Sequence, residues 1–146
     1  MIGDRSVEAW LTDKIALDGA SVGFVPSRGN LHASHGLPLE HARGECDVLR
    51  LSIFVNPTQF NDPTDLARYP RTLEADLNLA RRHGVDRVPL PIAEDLYPDQ
   101  YTSRMSEAVL CITLCGRAHP GQFDGVLSVE RTADIAGDGA FLVAEP

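Results

Sequence analysis

His32 and His35 stand three residues apart, just after a turn made by Ser27, Arg28, Gly29 and Asn30. That turn follows a short β-branched and aromatic run, Val22, Phe24 and Val25, which is expected to stop at Pro26. A strand, a glycine-containing turn and a helix start, in that order, gather backbone N–H groups and the positive end of a helix dipole at one point. Such a point binds an anion. Histidines at i and i+3 share one face of a helix and add proton donors that titrate near neutral pH. The pattern predicts a nucleotide phosphate site over residues 23–35. Spacing alone fits equally well two ordinary helix-start histidines with local hydrogen bonds.

A second polar cluster, Asn56-Pro57-Thr58-Gln59-Phe60, follows the most apolar run of the chain. It reads either as a plain turn or as a carboxamide, Gln59, placed at a strand end to bind a hydroxyl or carboxylate. A metal site would need more ligands than the histidine pair. His41 and Cys46 lie nearby, but neither H-E-x-x-H nor C-x-x-C occurs, so no metal site is expected. Cys111 and Cys115 have a spacing that fits core thiols, and with Cys46 the cysteines number three, so free thiols are the expectation. Neither a G-x-x-x-x-G-K-[ST] phosphate loop nor a G-x-G-x-x-G dinucleotide turn is present.

The elements that must carry these residues alternate in kind. Residues 6–18 place Val7, Trp10, Leu11 and Ile15 at helical spacing, with Ser6 or Asp4 as cap and Gly19 as stop. Residues 22–25 form a first strand, and residues 35–43 a short helix in which Pro38 is tolerable only in the first turn. Residues 48–55 read as a central strand covered on both faces, despite Arg50 and Ser52. Thr72 caps a helix with Leu73, Ala75, Leu77, Leu79 and Ala80, closed by Arg81, Arg82 and His83 before Gly84. Residues 86–90 are a third strand, 94–97 a helical turn, and 139–143 a last strand; 109–114 is ambiguous and 126–135 a helix. Strands alternating with helices predict α/β architecture with a parallel, doubly wound sheet, and such sheets bind ligands beyond the carboxyl ends of their strands. The loops after Val25 and Val55 are therefore expected to face one cleft.

The chain has 146 residues, 43% hydrophobic and 23% charged, which suits one soluble globular domain over residues 1–146. A formal charge of −8 argues against nucleic-acid and anionic-membrane partners, which need basic patches. An anionic ligand such as ATP would have to be held by local donors against that field, with Mg²⁺ able to offset part of the repulsion. No apolar run reaches the ~18 residues of a membrane span, and M-I-G-D-R-S does not open a signal peptide, so a cytoplasmic protein is expected.

Taken together the motifs are far more specific. The strings G-F-V-P-S-R-G-N-L-H-A-S-H, D-V-L-R-L-S-I-F-V-N-P-T-Q-F and D-L-A-R-Y-P-R-T-L-E-A-D-L closely resemble the pantothenate synthetases, the pantoate–β-alanine ligase family. G-V-D-R-V, E-D-L-Y-P and L-C-G-R-A-H-P-G-Q-F-D-G-V extend the match from about Val22 to about Val129. The resemblance implies a Rossmann-like domain of the nucleotidyltransferase superfamily, whose H-x-G-H signature falls on His32, Ala33, Ser34 and His35. It implies a ligase that condenses ATP and pantoate into pantoyl adenylate, from which β-alanine then displaces AMP. His32 and His35 are the implied catalytic residues. Pro26, Ser27, Arg28, Gly29, His32, Ser34 and His35 are the implied ATP contacts, and Gln59, Asn56 and Tyr69 the pantoate contacts. The resemblance also implies ATP as a substrate with Mg²⁺, and the family's dimerisation through this domain admits a homodimer.

The departures are as informative. The family's P-T-M-G is P-S-R-G here, which puts Arg28 where a thioether is usual; it either grips a phosphate or obstructs the pocket. The signature glycine is Ser34, and R-P-G-H-F-D-G becomes His119-Pro120-Gly121-Gln122-Phe123-Asp124-Gly125. F-L-V-A-E-P at 141–146 falls near the family's Y-F-G-E-K-D without its lysine; Lys14 is the only lysine. A second pantoate-binding glutamine and the C-terminal domain with its K-M-S-like segment lie beyond the matched part. The leading expectation is the ligase. The alternative is a catalytically weak or inactive homologue that binds pantoate or nucleotide, or acts as an interaction domain. A nucleotidyltransferase for another small acid is a third reading, against which the intact N-P-T-Q-F string speaks.

Overall fold

Leu49, Arg50, Leu51 and Ser52 are buried in succession, so both faces of the strand they form are covered, as the near-continuous apolar run predicts. In the computed structural model, which describes residues 3–4, 19–96 and 141–142, this strand is β3 (Val48–Ile53). Around it stand β1 (Gly3–Asp4), β2 (Val22–Ser27), β4 (Val88–Pro89) and β5 (Phe141–Leu142). The helices are α1 (Ala33–Glu45), α2 (Pro63–Arg68), α3 (Leu73–Arg82) and α4 (Ala93–Leu96). The sequence-predicted elements at 6–18, 109–114 and 126–135 lie outside the described residues, as do Lys14, Cys111, Cys115 and the string 119–125.

Every recorded strand pair is parallel. β2 lies between β3 and β5, and β1 pairs with β4. A parallel bridge between Arg50 and Arg87 joins the two groups: the Leu51 N–H donates to the Arg87 carbonyl at 3.0 Å and the Asp86 N–H to the Leu49 carbonyl at 2.9 Å. Strand order therefore reverses at β2, with β3 and β4 to one side and β5 to the other. That reversal is where an α/β sheet opens a ligand crevice.

Two prolines sit where the sequence argued against them. Pro26 does not end the first strand, which runs to Ser27. In a parallel ladder alternate residues face opposite neighbours. The Phe54 N–H donates to the Ser27 carbonyl at 2.9 Å, so Ser27 faces β3 and Pro26 faces the β5 side, where the recorded pairing ends at Phe24. Its missing N–H therefore breaks no bond to β3. Pro38 lies inside α1, past the first turn, because the helix begins at Ala33 rather than His35. It cannot donate to the Ser34 carbonyl one turn back, which weakens the ladder at the helix's site end.

The core joins Val25 of β2, Leu49 and Leu51 of β3, Val88 of β4, Leu39 and Ala42 of α1, and Leu79 and Ala80 of α3. α1 and α3 approach closely at Gly36, where an added Cβ would lie 2.7 Å from the His83 ring. Arg43 ties the far end of α1 down. It donates to Asp86 Oδ2 at 2.6 Å and to the Cys46 and Asp47 carbonyls at 2.6 and 2.7 Å, while Asp86 Oδ2 also accepts from the Leu49 N–H. On the same edge the Ser21 hydroxyl and N–H donate to Asp47 and hold its carboxyl below the usual carboxylate range.

Gly23 packs closely against Cys46, the residue that follows α1. A Cβ there would stand 2.6 Å from Cys46 Sγ and 3.3 Å from Cys46 Cβ. Gly23→Ala is expected to lower stability by about 1–3 kcal/mol, the usual cost of overpacking. Gly23→Ala/Cys46→Ala should regain about 1 kcal/mol of this in urea melts, a coupling that independent sites would not show.

Candidate active site

The carboxyl ends of β2, β3 and β4 and the start of α3 enclose a cavity of about 650 Å³. Arg28 and Gly29 follow β2, Phe54 and Val55 follow β3, Leu90, Pro91 and Ile92 follow β4, and Arg71, Thr72, Leu73 and Asp76 come from α3 and its approach. The loops after β2 and β3 thus face one cleft, as the sheet topology predicts. The β4 end was not foreseen; the apolar Leu90 and Ile92 beyond a short strand gave no chemical signal. Leu73 and Ile92 leave large apolar surfaces exposed on this wall.

Arg28 reaches over the Tyr69 ring, its guanidinium carbon 5.7 Å from the centroid, and Tyr69 meets Phe60 edge-on at 5.5 Å. A cation over an aromatic face is held in place by the ring quadrupole. Arg28 and Tyr69, from two different predicted contact sets, are therefore neighbours. Gln59 ends a short 3-10 turn, Pro57–Gln59, and is half-buried. Asn56 is almost fully buried and caps that turn, its Oδ1 accepting from the Thr58 N–H at 3.1 Å and the Thr58 hydroxyl at 2.8 Å. Its carboxamide oxygen is thus used within the loop. Asp62 caps α2 in the same manner: the Thr64 N–H donates to it and holds its carboxyl below the usual range.

His32 is the N-cap residue of α1 and His35 its third helical residue. The His32 N–H donates to His35 Nδ1 at 3.2 Å, and the His35 N–H donates to the His32 carbonyl at 3.0 Å. The rings meet edge-on with centroids 4.1 Å apart, so the pair does share one face. With Nδ1 accepting, the neutral His35 ring carries its proton on Nε2. No acidic residue stands in the first turn of α1, which leaves the positive end of the dipole uncompensated by the helix's own side chains. Neither histidine, nor Gln59, forms part of the cavity wall.

Several predicted anion donors are already engaged. The Ser27 hydroxyl donates to the Ser52 carbonyl at 2.9 Å and accepts from the Gly29 N–H at 3.3 Å. The Asn30 and Leu31 N–H groups donate to Asp76 at 3.0 and 2.8 Å. Asp76 is 1% exposed and also accepts from the Thr72 hydroxyl at 3.1 Å, so Thr72 stands at the N-cap of α3 without capping it through its side chain. Sequence reasoning missed Asp76. The signal was present: it sits three and four residues before Leu79 and Ala80, on the inward face of α3, where a carboxylate must find donors. The N–H groups of Ala33 and Ser34, the first two of α1, stand at a helix start, where N–H groups have no acceptor within the helix.

This arrangement collects cations, imidazoles and helix-start N–H groups beside an apolar cavity. Such groups suit the holding of an anion. Among the described residues no group of three or more His, Cys, Asp or Glu side chains could hold a metal ion. Among them, too, no helix is long and apolar enough to cross a membrane.

A pantoate-beta-alanine ligase family model matches residues 4–132. The pantothenate synthetase of Bdellovibrio bacteriovorus is 50% identical over 109 residues, covering 75% of this chain and 43% of that protein. The bifunctional pantoate ligase/cytidylate kinase of Synechococcus elongatus is 52% identical over 112 residues, which is 75% of this chain and 21% of that one. The pantoate-beta-alanine ligase of Francisella tularensis, solved with beta-gamma ATP and beta-alanine, superposes with a TM-score of 0.88 at 34% identity, over 93% of this chain and 53% of that one. Pantothenate synthetase from Thermus thermophilus gives 0.79 at 32% identity, over 100% of this chain and 62% of that one. The chain spans less than half the length of these curated relatives and somewhat more than half that of the solved ones. Its parallel sheet with helices is the Rossmann-like architecture of their N-terminal domain. With the family model covering most of its length, the chain belongs to the pantoate–β-alanine ligase family.

Proposed function

We propose that this chain forms the ATP- and pantoate-binding domain, residues 1–146, of an AMP-forming pantoate–β-alanine ligase. The observation that carries the reading is the His32–His35 pair at the start of α1, next to the loop that sends Arg28 into the strand-end cavity. A pantoate carboxylate oxygen attacks the α-phosphorus of ATP and pyrophosphate leaves. The amine of β-alanine then attacks the acyl carbon of the pantoyl adenylate, and AMP leaves. Neither step needs a protein nucleophile. What is needed is alignment and stabilisation of charge on the phosphate oxygens. His32, His35, Ser34 and the turn Pro26, Ser27, Arg28 and Gly29 face ATP, while Gln59, Asn56 and Tyr69 serve pantoate. Mg²⁺ would be carried largely on the triphosphate and water, as is usual for this ion. A cytoplasmic setting, a homodimer, and no nucleic acid or membrane partner complete the reading, and the charge of −8 supports the last.

The test is pantoate-dependent exchange of labelled pyrophosphate into ATP by the chain. Exchange supports the ligase, and pantoate binding without exchange leaves a binding module. Arg28 gives a sharper check. A guanidinium already held over Tyr69 is placed to grip an anion, so Arg28→Met is expected to weaken ATP binding about tenfold or more, the worth of a charge-assisted contact. Tighter binding by the methionine variant would show that Arg28 obstructs the pocket instead.

A further inference from the structure

We propose that Asp76 is a positioning residue, the built-in anion of the turn that presents the histidine pair. Gly29 and Asn30 both adopt positive φ, 78° and 54°, a sequence of conformations that exposes consecutive N–H groups on one side of the backbone. Such a turn attracts an anion. Here α3 supplies it: Asp76 Oδ2 accepts from the Asn30 N–H and Oδ1 from the Leu31 N–H, while the Thr72 hydroxyl donates to Oδ1 from behind. Gly29 leaves room for this, since a Cβ there would lie 3.1 Å from Asp76 Oδ2.

The next N–H in the chain, that of His32, goes to His35 Nδ1. Three successive backbone donors are thus assigned to three fixed acceptors, and the third assignment sets the His35 tautomer. Asp76 acts through the turn, by way of the Asn30 and Leu31 N–H groups. It follows that a phosphate does not use the Asn30 and Leu31 N–H groups. It meets the Ala33 and Ser34 N–H groups and the imidazoles. This consequence for the nucleotide rests on the function proposed above; the control of the turn and of the tautomer does not.

Nitrogen-15 NMR of the full chain at about pH 8, where an ordinary imidazole is neutral, reads both. In the wild type His35 should carry its proton on Nε2, and the Asn30 and Leu31 amides should exchange slowly although the loop is at the surface. In Asp76→Asn the carboxamide must turn a donor toward one of the turn's N–H groups. Amide exchange of Asn30 or Leu31 is then expected to speed at least about tenfold, and the His35 tautomer ratio to shift about fivefold, as loss of one hydrogen bond allows. Thr72→Val removes only the rear contact and should move neither signal, which separates positioning of the turn from general loosening of α3. A wild-type His35 protonated on Nδ1 overturns the proposal whether or not the variant folds. A folded Asp76→Asn with unchanged exchange and tautomer does so as well. ATP titration of the same samples is a separate arm: no binding by the wild type rejects the proposed function and leaves the tautomer result standing.

Discussion

Alanine at His35 is expected to cut pantoate-dependent pyrophosphate exchange by about a hundredfold or more, the usual cost of losing one preorganised donor to a developing phosphate charge. The residue does two things that substitutions separate. Its Nδ1 accepts from the His32 N–H and so braces the helix start, while the proton of the neutral ring stands on Nε2. Asparagine places a carboxamide oxygen near the Nδ1 position and has nothing at Nε2. His35→Asn should therefore melt close to the wild type and still lose the exchange. Glutamine reaches the Nε2 position with an amide donor and gives up the Nδ1 contact. His35→Gln should retain part of the exchange and lose about 0.5–1 kcal/mol of stability, the scale of an exposed cap. Calorimetric ATP affinity should follow the exchange order, with His35→Asn weaker than His35→Gln. Greater exchange in His35→Asn than in His35→Gln would mean that the bracing role, not the donor, matters.

The histidine pair was legible in the sequence, and the acidic residue that packs behind its turn was not. A histidine pair after a glycine turn has a one-dimensional signature, because the turn, the helix start and the i, i+3 face all lie within a dozen consecutive residues. The brace is Asp76, which is 46 residues from Asn30 in sequence. Only folding α3 onto the β2–α1 turn makes its role visible; in the string it is one more acidic residue in a helix start that favours acids anyway. The same distinction explains the two prolines. Local rules stop a strand at Pro26 and place Pro38 in a first turn, but the ladder parity of β2 and the real start of α1 are set by neighbours. β3 needed no such help, since a run buried on both faces writes itself into consecutive apolar residues, and Arg50 and Ser52 were exceptions the fold absorbs.

Leu39→Ala should be the most damaging single truncation in α1, lowering stability by about 2–5 kcal/mol, a large share of the ~5–15 kcal/mol that holds a domain folded. The inward face of this helix is narrow: Gly36, Leu39 and Ala42 are its buried residues, so Leu39 is the sole large anchor among them. It is 0% exposed against Leu49 and Leu51 of the central strand, whereas Leu37, two positions earlier, is 70% exposed. Leu37→Ala is accordingly expected to change stability by less than about 0.5 kcal/mol in the same urea melt. The contrast carries into function because Leu39 lies one turn after His35. A cavity beneath that turn cannot be refilled from Gly36 or Ala42, and Pro38 has already removed a ladder bond on the same stretch. Loosening α1 there frees the histidine face from the sheet. ATP affinity should therefore fall in Leu39→Ala even below its melting transition, and stay unchanged in Leu37→Ala. If Leu39→Ala binds ATP as tightly as the wild type while melting earlier, the histidine pair is held by the turn and Asp76 alone, and the helix packing beneath it only supports the fold.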